Sequence, residues 1–306
     1  MTGVPDPGPV PVRLDVDAAQ VRLLLAEQLP AWAGLPLTPV EPGGWDNRTF
    51  RLGDEMLVRL PSAAPYALAV EKEQRWLPVI ASAVPRPVPV PLAHGRPGAG
   101  YPFPWSVYGW IDGETVRRDR VADPVRFAED LAGFVGALRT VDAAGGPRPG
   151  THNWFRGAPL RTYDAGTHAA LRDLGDRVDR DRATEVWTRA LRAPYAGDDV
   201  WFHGDLAAGN ILLDRGGFHA VIDFGTCGVG DPSCDLAVAW TLLTDDGRGA
   251  FRDRLSVDDD AWARGRGWAL WKAVTTCAGD ADPADPQVRE AWGALDLILA
   301  DEDARA

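Results

Sequence analysis

Two short polar clusters stand close together in the last third of the chain. His203-Gly204-Asp205-Leu206-Ala207-Ala208-Gly209-Asn210 runs directly into Ile211-Leu212-Leu213, and Val221-Ile222-Asp223-Phe224-Gly225 follows. Apolar residues lead up to each cluster, so two buried strands each end in a carboxylate. Asp205, Asn210 and Asp223 can then converge at one mouth. Phosphoryl transfer wants such a set. One carboxylate accepts or orients a hydroxyl proton, while an amide oxygen and a second carboxylate hold Mg²⁺ against phosphates. The reaction asks for positioning and charge neutralisation rather than covalent chemistry, which a few fixed polar groups supply.

H-x-D-x-x-x-x-N followed by I-D-F-G resembles the catalytic and metal-binding loops of the protein-kinase-like superfamily. The narrower form, HGDL-x-x-x-N with IDFG-x-x-x-x-x-DP-x-x-DLA, resembles the aminoglycoside phosphotransferase family. The likeness covers roughly residues 35–300, and 203–237 is its specific part. It implies that Asp205 is the catalytic base, that Asn210 and Asp223 bind magnesium, and that His203 supports the loop rather than shuttling a proton. Asp235 would accept hydrogen bonds from the backbone of the catalytic loop. Asp231 suits a helix N-cap and Pro232 the first turn behind it.

The nucleotide end of the resemblance is less regular. Gly43-Gly44-Trp45-Asp46-Asn47 stands where the family places its phosphate-covering loop, which makes Gly44, Trp45 and Asn47 the expected nucleotide contacts there. The third strand of the family presents a lysine to the phosphates; here Met56-Leu57-Val58-Arg59-Leu60-Pro61 puts Arg59 at that point, a pattern similar to that of macrolide kinases. Arginine keeps the charge and forks onto phosphate or carboxylate. Its expected partner is Glu73, with Glu71 as the neighbouring candidate. Trp105–Trp110 fits the strand leading to the hinge, so backbone groups near Tyr108 and Trp110 are expected to meet adenine. The implied cofactors are ATP, with GTP as the alternative, and Mg²⁺.

Periodicity and turn residues outline the elements that position these groups. A helix is expected over 16–29, strand-like runs at 37–40, 49–52 and 56–60 separated by Gly-Gly and Gly-Asp turns, and a helix over 66–83. Pro-punctuated strands at 88–92 and 105–111 follow. From about 112 the pattern changes to helices: 123–141 with Val125, Leu131, Phe134, Val135 and Leu138 as its stripe, a loop at 147–163, a helix at 182–191, short strands at 200–202, 211–213 and 218–222, and helix in three or four pieces after Pro232. Strands first and helices later indicate an α+β chain. The resemblance makes it a two-lobed protein-kinase-like fold: a flexible tail over 1–12, a β-rich N-lobe over 13–110, and a helical C-lobe over 111–306 with the catalytic loop and the acceptor pocket.

Composition bounds the rest. A 306-residue chain with 45% apolar and 25% charged residues is an ordinary globular protein of one large or two coupled domains. No run approaches a membrane span and no signal peptide opens the chain, so a cytoplasmic, membrane-free protein is expected. The net charge of −12 argues against nucleic-acid binding, and either draws a cationic acceptor or simply keeps the chain in solution. Cys227, Cys234 and Cys277 show no metal or disulfide spacing and read as packed thiols. Lys72 and Lys272 are the only lysines among 32 basic residues, which looks like base composition of the genome rather than chemistry. Trp240, Trp262, Trp268, Trp271 and Trp292 fall where the family builds its acceptor pocket and are expected mostly in the core. Asp245, Asp246, Asp258, Asp259 and Asp260 lie in the same region, as caps and solvated charges or as contacts to ammonium groups. The expected activity is transfer of a phosphoryl group to a hydroxyl of a small molecule. An antibiotic such as an aminoglycoside or a macrolide leads. A metabolite acceptor (choline, homoserine, a sugar or a nucleoside) and a nucleotide-binding module without catalysis are the alternatives. A protein kinase is unsupported, because no A-P-E segment follows Asp235. The protein would be a monomer or a dimer.

Overall fold

The computed structural model describes residues 11–41 and 43–301. The tail expected over 1–12 lies outside them apart from residues 11 and 12. Helix α1 (Ala18–Gln28) is capped by Asp17, whose side chain accepts from Gln20 N. Strands β1 (Leu37–Pro39), β2 (Asn47–Leu52) and β3 (Met56–Pro61) form a meander, and α2 (Ala64–Ala83) follows. Strands β4 (Pro91–Gly95) and β5 (Trp105–Gly109) complete a five-stranded antiparallel sheet of order β1-β2-β3-β5-β4. The strand expected at 88–92 begins at Pro91 instead. Pro87 and Pro89 have no N–H to give to a ladder, so the chain before Pro91 stays extended without pairing. Val21, Leu24 and Leu25 of α1 pack with Phe50, Leu52, Val58, Leu60, Trp105 and Val107 of the sheet into one core.

A second, larger core belongs to the helical part. Strand β6 (Glu114–Thr115), helices α3 (Pro124–Arg139), α4 (Asp164–Leu174) and α5 (Arg180–Arg192), and strands β7 (Val200–Phe202), β8 (Ile211–Asp214), β9 (Gly217–Val221) and β10 (Gly228–Gly230) lead to α6 (Val238–Thr241), α7 (Asp245–Leu255), α8 (Asp259–Cys277) and α9 (Pro286–Ala300). Strands β6, β8 and β9 form one small sheet and β7 pairs with β10 in another. Leu131, Phe134, Val135 and Leu138 of α3 are buried as their stripe predicts, but Val125 is exposed on the first turn. Helix α4 is absent from the sequence reading: Gly166 interrupts a sequence whose buried face is mostly alanine and leucine, too weak a stripe to stand out. Short 3₁₀ turns at Thr151–Asn153 and Leu160–Tyr163 punctuate the stretch expected as loop. The segment after Asp231 starts as the cap predicts, with Asp231 accepting from Ser233 N, but it winds as a 3₁₀ turn, Pro232–Ala237, before becoming α6. Trp240, Trp262 and Trp268 are core residues and the three cysteines are free and buried. The architecture is the two-lobed, kinase-like α+β fold, with β3, α2 and the turns after β7 and β9 facing one cleft.

Candidate active site

The turn after β7 is held from below by one carboxylate. Asp235 accepts from His203 N at 2.8 Å through Oδ2 and from Gly204 N at 2.7 Å through Oδ1. Burial pushes the Asp235 carboxyl up, against the pull of His203 and these two N–H groups. His203 is fully buried, and both ring nitrogens are engaged: Nδ1 accepts from Asp205 N at 3.2 Å and Nε2 donates to Ile222 O at 3.0 Å. It therefore ties the two turns together and has no nitrogen left for a proton relay. Gly204 has φ +87, and a Cβ there would lie 2.6 Å from Thr226 O, so only glycine lets these turns approach so closely.

The loop delivers Asp205 and Asn210 side by side. Asn210 Nδ2 donates to Asp205 O at 2.9 Å and to Asp205 Oδ2 at 3.2 Å, which leaves the amide oxygen of Asn210 as the free end. Lys272 Nζ of α8 stands 2.5 Å from Asp205 Oδ1. Burial alone would raise the Asp205 carboxyl; Lys272, with Arg156 and His203 behind it, outweighs burial and holds it at about 2. Asp223 follows β9 with φ 64 and ψ 71, a left-handed conformation that asparagine and aspartate tolerate better than other side-chain-bearing residues. This turn aims its carboxylate back toward the opposite lobe.

Arg59 closes the cleft from the sheet side. Its guanidinium donates to Asp223 Oδ1 and lies 3.5 Å from Glu73 Oε1 of α2. With its amide oxygen turned to Arg59, Asn47 accepts from Nε at 3.1 Å and from NH2 at 3.0 Å. Of the two glutamates weighed from sequence, Glu73 takes Arg59, and Glu71 sits on the exposed face with His94 at 3.2 Å. Tyr108 donates its hydroxyl to Glu73 Oε2 and is buried behind the pair. Against burial, Arg59 holds the Asp223 carboxyl below the usual carboxylate range.

The remaining predicted positions are more scattered. Gly44 accepts from Arg48 NH1 at 3.3 Å. Trp45 is 59% exposed, donates to the Tyr66 hydroxyl at 3.1 Å and carries the Arg13 guanidinium over its ring at 3.9 Å. Trp110 donates its indole N–H to Asp112 at 2.8 Å, and its backbone N–H goes to Glu55 O at 2.7 Å. Gly109 N is likewise engaged, with Val90 O at 3.1 Å. Asp46, between Trp45 and Asn47, reaches into the same electrostatic field: burial, and then Asp223, push its carboxyl up to about 6.

Both lysines belong to the site, so their reading as a matter of composition alone is corrected. Lys72 is buried and points from α2 to Gly225 O at 2.7 Å, Cys227 O at 2.9 Å and His152 Nδ1 at 3.3 Å. Three acceptors around one ammonium match its three donors, where a guanidinium would bring five donors and a plane. Burial lowers the Lys72 ammonium from its ordinary value. Lys272 meets Asp205, and Arg156, whose Nε donates to Gly204 O at 3.2 Å, lies over the Trp271 ring at 4.4 Å.

Among the described residues no group of three His, Cys, Asp or Glu could hold a metal by itself. The Asn210 amide oxygen and the Asp223 carboxylate are hard oxygen donors facing one cleft, a pair that suits Mg²⁺ completed by phosphate oxygens and water. A family model described as Phosphotransferase enzyme family (APH) matches residues 37–268. The chain belongs to this phosphotransferase family. Solved structures with the same fold include the GDP and kanamycin complex of APH(2")-IIia, at 19% identity and a TM-score of 0.71 over 92% of this chain and 99% of that one. Macrolide 2'-phosphotransferase type I matches at 20% identity and 0.60, over 96% and 100%. The macrolide 2'-phosphotransferase MphH from Brachybacterium faecium, without ligand, matches at 20% identity and 0.58, over 92% and 99%. At these identities the likeness establishes the phosphotransferase fold. The enzyme class, a kinase with a hydroxyl acceptor, comes with the family. No helix among the described residues is long and apolar enough to cross a membrane.

Proposed function

We propose that this phosphotransferase moves the γ-phosphoryl group of a nucleoside triphosphate, ATP or GTP, to a hydroxyl of a small molecule held between α8 and the catalytic loop. The observation that supports this best is the meeting of Asp205, Asn210 and Asp223 in one cleft, opposite Arg59. The acceptor hydroxyl donates to the Asp205 carboxylate. As its oxygen bonds to phosphorus and the bond to the nucleoside diphosphate breaks, its proton passes to Asp205. A carboxyl held at about 2 is fully ionised at neutral pH, so it orients the hydroxyl from the start and takes the proton late, in keeping with a loose transition state. Asn210 and Asp223 would hold Mg²⁺, which neutralises charge on the phosphates. Arg59 is poised to exchange Asp223 for phosphate oxygens while Glu73, Asn47 and Tyr108 keep its place. Lys72 fixes the turn after Asp223 by its carbonyls.

ADP release over a panel of hydroxylated acceptors, with antibiotics and small metabolites side by side, tests the reading. Acceptor-dependent release that vanishes with Asp205→Ala supports it; release unaffected by that substitution refutes the assignment of the base.

A further inference from the structure

The pocket beside Asp205 has an electrostatic character opposite to that of the whole protein. Arg156, Asp205, Trp268, Trp271 and Lys272 line it, together with Thr241 and other small residues. Asp205 is its single carboxylate, already paired with Lys272, while Arg156 adds a second cation. One buried donor of the pocket is left free. Trp268 is buried, and its indole N–H has no partner among the described residues. Thr241 Oγ1 donates its hydrogen to Ala237 O at 3.2 Å, so this hydroxyl adds an acceptor and no free donor. None of the five acidic residues that sequence offered as contacts to ammonium groups lines this pocket. Asp258 caps α8 through Ala261 N, and Asp245 and Asp259 pair with Arg248 and Arg252. The cap of α8 lies about 20 Å along the helix axis from Lys272, at 1.5 Å per residue.

We infer that the acceptor carries an anionic group, a carboxylate or a phosphate, next to the hydroxyl it presents to Asp205, and that Lys272 determines specificity by taking up that group. This rests on the kinase reading of Asp205. Any hydroxyl within hydrogen-bond reach of Asp205 comes within a few ångströms of the Lys272 ammonium, because both address one carboxylate. An acceptor ammonium placed there meets Lys272 and Arg156 at short range, opposed by Asp205, which Lys272 already occupies, and by Asp46, which does not line the pocket. An acceptor anion relieves the same cations, releases Asp205 from Lys272 for the hydroxyl, and can accept from the otherwise unmatched Trp268 N–H. Polyamine acceptors are therefore selected against, although the surface of the chain as a whole is acidic.

The two lysines make the test direct. Protein grown with ¹³Cε-lysine carries two side-chain signals, Lys72 behind the metal-binding turn and Lys272 in the pocket. MgADP is added first and should move the Lys72 signal; if it moves neither signal, the kinase reading fails. The MgADP-loaded protein is then titrated with glucuronate, glucose 6-phosphate, glucose, glucosamine and kanamycin. The expected result is a saturable shift of Lys272 with glucuronate or glucose 6-phosphate, at a dissociation constant at least about tenfold below that of glucose, and none with the amines. Which of the two anions acts separates carboxylate from phosphate. A Lys272 shift with glucosamine or kanamycin, or a Lys272 signal unmoved by both anions in protein whose Lys72 has responded to MgADP, overturns the inference alone. As a second readout, Lys272→Gln should raise the KM for the favoured anionic acceptor about tenfold or more relative to that for glucose; an unchanged ratio overturns it too.

Discussion

Lys72 reaches across from α2 to the carbonyl of Gly225 at 2.7 Å, two residues beyond Asp223. The helix that carries Glu73 is thereby pinned to the turn that carries the Asp223 carboxylate, and the same ammonium also takes Cys227 O at 2.9 Å. Lys72→Met keeps the length and removes the charge, which leaves buried carbonyls without a donor. The expected cost is about 3 kcal/mol of stability by urea unfolding. The Mg²⁺ concentration needed for half-maximal ADP release should rise as well. Lys72→Arg should fail in the same direction, because a planar five-donor group does not fit three acceptors around a point.

Arg59 stands between Glu73 and Asp223, with side-chain exposures of 15% for Arg59 and 5% for Glu73. Arg59→Ala strands a buried carboxylate and should destabilise by about 3 kcal/mol. Its KM for the nucleotide should rise more than about tenfold. Arg59→Lys keeps the charge but not the fork, so it should fold normally and show a smaller rise in KM. Equal KM values for wild type and Arg59→Ala would show that Arg59 serves the fold and not the phosphates.

The pairing of Asp205 with Lys272 has a pH signature of definite sign. Because the Asp205 carboxyl is held at about 2 in the folded chain, below its ordinary 3.8, the stabilisation is complete above 3.8 and is lost as the pH falls through 2. In Lys272→Met, burial, already the largest single influence on Asp205, is opposed only by Arg156 and His203, so the carboxyl moves up and the stabilisation held at neutral pH shrinks. Thermal melts of the two proteins should differ most at neutral pH and converge on acidification. A gap that is constant with pH would contradict the electrostatic coupling of the two residues.

Much of the fold was legible in sequence because its signals are local. Gly43-Gly44 and Gly53-Asp54 mark the turns of the β1–β3 meander, and the Asp231-Pro232 pair marks the start of the turn it caps. The motif spacing from His203 to Asp223 also brings its three polar groups into one cleft. What stayed hidden depends on tertiary placement. Nothing near Lys272 in sequence relates it to Asp205, since α8 is brought over the turn after β7 by packing against α5 and α9. Lys72 was visible as a helix residue, yet its target, the Gly225 carbonyl, carries no sequence signal at all. Asp46 looked like part of a glycine turn and proves to lie within the field of Asp205 and Asp223. Backbone acceptors and long-range charge leave no periodicity to read.

Asp205 is the residue on which the proposed transfer depends. Transfer of label from γ-³²P nucleotide into a hydroxylated acceptor, followed by separation of the labelled product, measures its role most directly. Wild-type protein should label the acceptor in the presence of Mg²⁺, and Asp205→Ala should do so about 10²–10⁴-fold more slowly while still binding MgADP. Labelling by Asp205→Ala at the wild-type rate would contradict the proposed chemistry.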